Sequence, residues 1–306
     1  MDYPTRIGNV RAVDHVSFSL QKGQTLGVVG ESGCGKSTLG FSVIRLVPSP
    51  GIITEGSVIV DGTDIMRLSE KEMRRLRGHV GFIFQDPMTS LNPVKRIGDH
   101  FVEFIRAHEK NVSAEDTLER ARKILESLGI LPERVNDYPH QFSGGMRQRV
   151  MIGLGLALKP KLLIADEPTT SLDVIVEAQI LELMNKLKKE YDLTLILITH
   201  NIGIIAEMAD TVAVMYAGRM VEFGPTTDIF ENPLHPYTKG LLESAPNIKH
   251  PERSMRAIPG SPPDLMNPPS GCKFHPRCPH AFEPCALREP LLLHRERQRV
   301  ACHLYD

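Results

Sequence analysis

The sequence carries no surplus of charge: 36 Lys and Arg stand against 37 Asp and Glu, for a formal net charge of -1. Bulk electrostatics therefore give no footprint for nucleic acid or for an acidic lipid surface, and nucleic acid is not expected as a partner. Long apolar runs are missing too. No stretch approaches the roughly 18 to 20 apolar residues that a bilayer span needs, and the N-terminal segment lacks the basic-then-apolar order of a secretory leader. A soluble, cytoplasmic chain is expected. Cysteine is scarce, and the five present are expected as thiols or metal ligands, because the cytosol keeps thiols reduced. Internal repeats and low-complexity runs are absent. What is there is ample: 306 residues, 41% of them hydrophobic, can fill a large core and form two domains of about 150 residues each.

Two short apolar runs, Val16 to Leu20 and Thr25 to Val29, flank Gln21, Lys22 and Gly23, which predicts a hairpin leading into a first core strand. Further strands are expected at Ser57 to Val60, Val80 to Phe84, Lys161 to Ala165, Leu193 to Ile198 and Thr211 to Tyr216. The continuously apolar ones suit a sheet covered on both faces, so the fold class is α/β. Between Pro87 and Pro160 the pattern turns helical. Ser113 and Asp116 form a capping box, and Leu118, Ala121, Leu125 and Leu128 line one face before Gly129, marking a helical insertion. After about Pro233 the composition shifts again, with ten prolines between Pro251 and Pro290, which excludes long helices and inner strands from that stretch.

Gly30-Glu31-Ser32-Gly33-Cys34-Gly35-Lys36-Ser37-Thr38 matches G-x-x-x-x-G-K-[ST] between an expected strand and an expected helix. Its glycines let successive N–H groups point into one concavity, the helix adds its positive end, and Lys36 supplies a point charge for β and γ phosphates. Ser37 would ligate Mg²⁺, and Cys34 reads as a small loop residue rather than a nucleophile. Leu162 to Glu167 ends a strand on two adjacent carboxylates that alternation turns in different directions. Asp166 would hold Mg²⁺ through its hydration shell, and Glu167 would polarise the attacking water. Ser143-Gly144-Gly145 opens another apolar helix, gathering a hydroxyl and free N–H groups into a second anion site. Two such sites in one chain imply that one serves another molecule's phosphate, hence a dimer.

The phosphate loop, the Ser-Gly-Gly signature, Asp166-Glu167 and a later strand ending at His200 occur in the order and spacing of ATP-binding-cassette ATPases, which the chain resembles over residues 3 to about 230. Asn232-Pro233-Leu234-His235-Pro236-Tyr237-Thr238 and the later cysteines resemble the ATPase subunits of dipeptide and oligopeptide importers. The resemblance implies a P-loop cassette with a mixed sheet core over 1–230, its helical subdomain at about 87–160, and a Pro- and Cys-rich extension over 231–306. It also implies roles. Gln85 matches the glutamine that touches Mg²⁺ and senses the permease, Asp173 in Ser171-Leu172-Asp173 the loop contacting the partner protomer, His200 the γ-phosphate sensor, and Tyr3 the aromatic stacked on adenine. Three positions depart from the broader pattern: Met146 replaces a common Gln, as in peptide-importer ATPases; Asn201 replaces a common Asp; and a first strand usual in the family is expected to be missing.

Cys272, Cys278, Cys285 and Cys302 are spaced x5, x6 and x16. Four thiolates are enough for a tetrahedral Zn²⁺ site or a [4Fe–4S] cluster. Ordering costs on the order of 1.5 kcal/mol per residue, which a proline-rich segment recovers poorly by burial, whereas a structural metal supplies roughly 10 to 16 kcal/mol. No two of these cysteines have the two-to-four-residue spacing usual in zinc ribbons, and similar importer ATPases carry [4Fe–4S]. The cluster is the leading expectation, zinc or no metal the alternatives. His275, His280 and His303 are expected at the surface or behind the ligands, not as ligands themselves.

The resemblance implies an ATP-hydrolysing motor at the cytoplasmic face of the cell membrane, working with a second ATPase subunit that is a paralogue, two membrane permeases and an extracytoplasmic substrate-binding protein. Peptide is the expected cargo, nickel or oligosaccharide the alternatives. A soluble cassette acting on DNA or ribosomes would show coiled coils, a fused second cassette or basic patches, and none is present. A redox sensor using ATP is the remaining rival.

Overall fold

The computed structural model describes residues 1–170, 172–244 and 257–306. Its contacts group the chain into two units, one made of residues 1–20, 24–59 and 197–306 and the other of 21–23 and 60–196. The first unit thus contains both the phosphate-loop segment and the cysteine-rich tail.

In the first unit the strand Thr25–Val29 is buried throughout, as its unbroken apolar run requires. It pairs in parallel with Thr211–Tyr216, which pairs antiparallel with Arg219–Pro225. Gln298–Val300 adds antiparallel to Arg219–Pro225, and Leu293–Arg295 follows as its neighbour, so the tail returns to build the sheet. Arg219–Pro225 escapes the sequence pattern because Glu222, Gly224 and Pro225 interrupt it. A register shift between Met220 and Glu222 resolves the conflict. Glu222 is fully buried, and its carboxylate accepts the N–H groups of Leu234 and His235 at 2.7 and 2.9 Å. Burial nonetheless raises its pKa.

Beyond Glu222 the chain enters an aromatic cluster. Tyr216 lies 4.6 Å from Tyr237 and 5.2 Å from Phe274, ring to ring. His235 beside them is kept neutral, its pKa lowered to about 3 by burial, and its Nδ1 accepts the Tyr237 N–H at 3.0 Å. A second tie runs through Asp14, whose Oδ2 accepts from Arg219 at 2.8 Å and from Lys273 at 3.3 Å. Burial pushes the Asp14 carboxyl up, but His15, Arg219 and Lys273 outweigh it and hold it below the usual carboxylate range.

One expectation for this unit is corrected. Val16–Leu20 forms no strand: its side chains alternate in burial as an extended segment should, but no ladder partner pairs with it, so the expected hairpin to Thr25 does not form. At the N-terminus Asp2–Thr5 pairs with Gly8–Arg11, and Tyr3 faces Val10.

In the second unit Val80–Ile83 and Leu162–Asp166 run parallel. The helical insertion is present as Ile97–His108, Ala114–Ser127 and Gly144–Leu156. Ser113 caps the middle helix by accepting the Asp116 N–H at 3.0 Å, and Ala121 and Leu125 turn inward against Phe101, Ile105 and Val150. Gly129, at φ 71, ends the run after Leu128. The expected strand at Ser57 to Val60 shrinks to Ile59–Val60. Among the described residues, no helix is long and apolar enough to cross a membrane.

Candidate functional site

The phosphate loop leaves the buried strand Thr25–Val29 and enters the helix Lys36–Val43. Two of its glycines are required by contact as well as by angle. A Cβ on Gly30 would lie 2.2 Å from the Met215 carbonyl oxygen, and one on Gly35, at φ 101, would lie 2.0 Å from that of Ala12. The backbone is thereby bent into a concavity in which Ser32 and Gly33 are exposed. Lys36 is buried, its Nζ donating to the carbonyls of Gly30 at 2.9 Å and Glu31 at 3.0 Å. Ser37 and Thr38 form the first helical turn, so their N–H groups belong to the helix's positive end. Cys34 is buried and its thiol pKa is raised by that burial, which fits a packing residue and not a nucleophile.

His200 shares this unit. Thr199 just before it donates its N–H to the Val28 carbonyl at 3.2 Å, which sets His200 at the carboxyl end of its strand beside the strand feeding the loop. Asn201 caps the following helix, its Oδ1 accepting from the Gly203 N–H at 3.0 Å. The Tyr3 ring packs against the Gly51 backbone, where a Cβ would meet it at 2.7 Å.

The second unit gathers the other expected residues into two groups. In the first, Gln85 Nε2 and Thr170 Oγ1 each donate to Oε2 of Glu167 at 2.9 Å, and buried Asp166 precedes it at the strand end. Glu167 sits at φ 47, a left-handed angle unusual for a residue other than glycine, and such strain concentrates at functional positions. In the second, Ser143 caps the helix Gly144–Leu156 by accepting the Met146 N–H at 3.3 Å, and Asp173 caps Val174–Tyr191 through the Val176 N–H at 3.0 Å. These helix ends touch: a Cβ on Gly145 would meet Val176 at 2.5 Å, and one on Gly144 would lie 3.6 Å from Leu172. Ser143, Asp173, Val174 and Ile175 are all exposed. Ser171 lies outside the described residues.

Sequence reasoning missed Thr170, whose adjacency to the acid pair is the signal that could have found it. It also missed Tyr237 and Arg277, which reach Glu31 in the phosphate loop. Glu31 and Arg277 are 246 positions apart, so no local pattern joins them.

Cys272, Cys278, Cys285 and Cys302 are all free thiols. The structure does not show the expected metal site: among the described residues, no group of three or more His, Cys, Asp or Glu is arranged to hold a metal ion. The thiols are nevertheless near enough to act on one another. Burial pushes Cys272 up to about 11, with the charges of Cys285, Cys302 and Cys278 adding to it, and burial raises Cys278 and Cys302 likewise. The N–H groups of Phe274, His280 and Leu304, each two residues on, favour thiolates at Cys272, Cys278 and Cys302. His275 turns Nδ1 to the Cys272 carbonyl, and His303 spends both ring nitrogens on Asp306 and the Arg288 carbonyl.

Residues 13–170 match the family model described as ABC transporter, and residues 221–285 match the one described as oligopeptide/dipeptide transporter, C-terminal region. The oligopeptide transport ATP-binding protein OppD of Bacillus subtilis (strain 168) is 51% identical over 295 residues, covering 95% of this chain and 82% of that protein. The dipeptide transport ATP-binding protein DppD of the same organism is 46% identical, covering 100% of this chain and 92% of that protein. Among solved structures, the dimeric post-hydrolysis state of the ATP-binding cassette MJ0796 bound to ADP and Pi matches with a TM-score of 0.64 at 26% identity, over 74% of this chain and 95% of that one.

Proposed function

The chain belongs to the ABC transporter ATPase family, and from that premise we propose that it is the ATP-hydrolysing subunit of an importer for short peptides. One observation carries the reading: the similarity runs through both the cassette and the C-terminal region, at 46 to 51% identity to peptide-transport ATP-binding proteins. Nickel or oligosaccharide as the solute is the alternative.

The chain's residues divide the reaction among them. The Gly30 to Thr38 loop, whose bend depends on Gly30 and Gly35 packing directly against the Met215 and Ala12 carbonyls, receives the triphosphate, and Lys36 exchanges its two carbonyl partners for phosphate oxygens. Ser37, Asp166 and Gln85 would hold Mg²⁺, directly or through water, and Mg²⁺ when bound neutralises charge on the β and γ phosphates. Glu167 accepts the proton of the attacking water, His200 contacts the γ phosphate and Tyr3 stacks on adenine. Ser143, Gly144 and Gly145 take the nucleotide of a second protomer and Asp173 meets that protomer; their exposed, adjoining helix ends with Val174 and Ile175 beside them suit this use. ATP bound across two protomers favours the closed dimer, and hydrolysis removes the contacts that distinguish closed from open.

The partners that follow are two permeases, one inserting a short helix against the region from Gln85 to Tyr138, a paralogous second ATPase subunit, and an extracytoplasmic substrate-binding protein. This places the chain at the cytoplasmic face of the membrane. The cassette over 1–230 with its helical subdomain, and the extension over 231–306, are the functional divisions of this reading. Purification from detergent-solubilised membranes is expected to bring down two permeases and a second ATPase with this chain. Recovery of the chain alone, with all ATPase activity in the soluble fraction, would overturn the transport role.

Four free thiols gathered in the tail supply the chemistry of a sulfur-held group, although the described residues are not arranged as a metal site; from the resemblance the [4Fe–4S] cluster is the form inferred, Zn²⁺ the alternative. Such a group would cross-link segments that have little core of their own. Anaerobic purification is expected to give brown protein with iron and acid-labile sulfide; a colourless, fully folded, metal-free protein would end the inference.

A further inference from the structure

Glu31, the second residue of the phosphate loop, is held by the tail at its backbone and at its side chain. Its N–H donates to the Tyr237 hydroxyl at 2.8 Å. Its carboxylate takes both ends of the Arg277 guanidinium, Nη1 to Oε2 at 2.6 Å and Nη2 to Oε1 at 2.9 Å. The same residue's carbonyl accepts from Lys36 Nζ at 3.0 Å and from the Cys34 N–H at 3.3 Å. One residue therefore joins the tail to the lysine that must meet the phosphates.

Arg277 is itself immobilised. Its Nε donates to the Pro259 carbonyl at 2.8 Å, Nη1 to the Tyr216 hydroxyl at 3.3 Å, and Nη2 reaches the Gly260 carbonyl at 3.5 Å. The guanidinium also stands 5.8 Å from the Tyr216 ring centre and 6.0 Å from that of Phe274. We propose that Arg277, with Tyr237, is a positioning residue for the phosphate loop, acting through Glu31 on Lys36, so that nucleotide affinity is set in part by the C-terminal tail. This inference rests on ATP being the loop's ligand.

A buried ion pair that only tethers the tail would behave differently. Breaking such a pair with Arg277→Met would destabilise the fold by leaving Glu31 unpaired, but the protein that remains folded would bind nucleotide with unchanged affinity. A positioning role depends on the bidentate fork, of which Lys keeps the charge but not the paired geometry. The test measures the dissociation constant of ATP, and KM against kcat, for the purified full-length wild type and for Arg277→Met, Arg277→Lys and Glu31→Gln. Expected are KM and dissociation constants raised about tenfold in Arg277→Met and Glu31→Gln, a smaller rise in Arg277→Lys, and kcat at saturating ATP changed far less than KM. Glu31→Gln decides the matter should Arg277→Met fail to fold, because it leaves the guanidinium and its other partners in place. Unchanged affinity in Glu31→Gln, or a loss confined to kcat, overturns the inference. A wild type that binds no ATP would instead sink the functional reading beneath it.

Discussion

Replacing Glu167 with Gln is expected to lower ATP turnover by roughly 10² to 10⁴-fold, the usual contribution of a positioned general base, while ATP binding is retained. The substitution is nearly isosteric. Gln85 Nε2 and Thr170 Oγ1 both donate to one oxygen of Glu167, and a glutamine carbonyl oxygen can accept both bonds at that place. The φ of 47 at this position is no harder for Gln than for Glu, so the strand end should keep its shape. What disappears is the carboxylate proposed as proton acceptor. With hydrolysis blocked, ATP-bound protomers should accumulate as a closed dimer, visible as an ATP-dependent shift in size-exclusion chromatography or light scattering. Wild-type turnover in the variant would remove Glu167 from the role of base.

The second large effect is expected at Gly35→Ala. A methyl group there would lie 2.0 Å from the Ala12 carbonyl oxygen, and φ 101 is a conformation that L side chains rarely adopt. Backbone on both sides of the clash leaves no flexible side chain to yield, so the first turn of the Lys36–Val43 helix must shift and carry the Lys36 ammonium with it. Strain alone is worth on the order of 1 to 3 kcal/mol, and the displaced N–H groups add the loss of the phosphate cradle. Thermal unfolding should move down by several degrees, and ATP affinity should fall by about 100-fold or more, roughly 2.8 kcal/mol on the tenfold-per-1.4 scale. Gly33→Ala is the control: φ there is 77 with nothing within 4 Å of the added carbon, so only the angle is penalised. Equal losses in the two variants would show that contact with Ala12 is not what shapes the loop.

The parts of this molecule legible in its sequence are those whose cause is local. The phosphate loop, the Ser113 and Ser143 caps and the apolar face ending at Gly129 each follow from residues within a few positions of one another, and the structure keeps them. The α/β class follows from runs such as Thr25–Val29 and Thr194–Ile198 that are apolar on both faces. Illegible features depend on distant partners. Val16–Leu20 has the alternation of a strand but pairs with no strand among the described residues, whereas Arg219–Pro225 has a poor pattern and forms a strand between Thr211–Tyr216 and Gln298–Val300, with Leu234 and His235 donating to its buried Glu222. The pairing of Gln85 with Glu167 could be anticipated from family resemblance alone, since 82 positions separate them. The grip of Arg277 on Glu31 had no signal at all.

The hairpin of Leu293–Arg295 and Gln298–Val300 caps the open edge of Arg219–Pro225. During synthesis this has a temporal meaning. The sheet that begins with Thr25–Val29 stays unfinished until the ribosome has passed Val300, and a nascent chain holds the unpaired N–H and C=O groups of Arg219–Pro225 exposed until then. Stalled or prematurely released polypeptides would carry that sticky edge, which makes them natural clients for holdase chaperones and early targets for proteolysis.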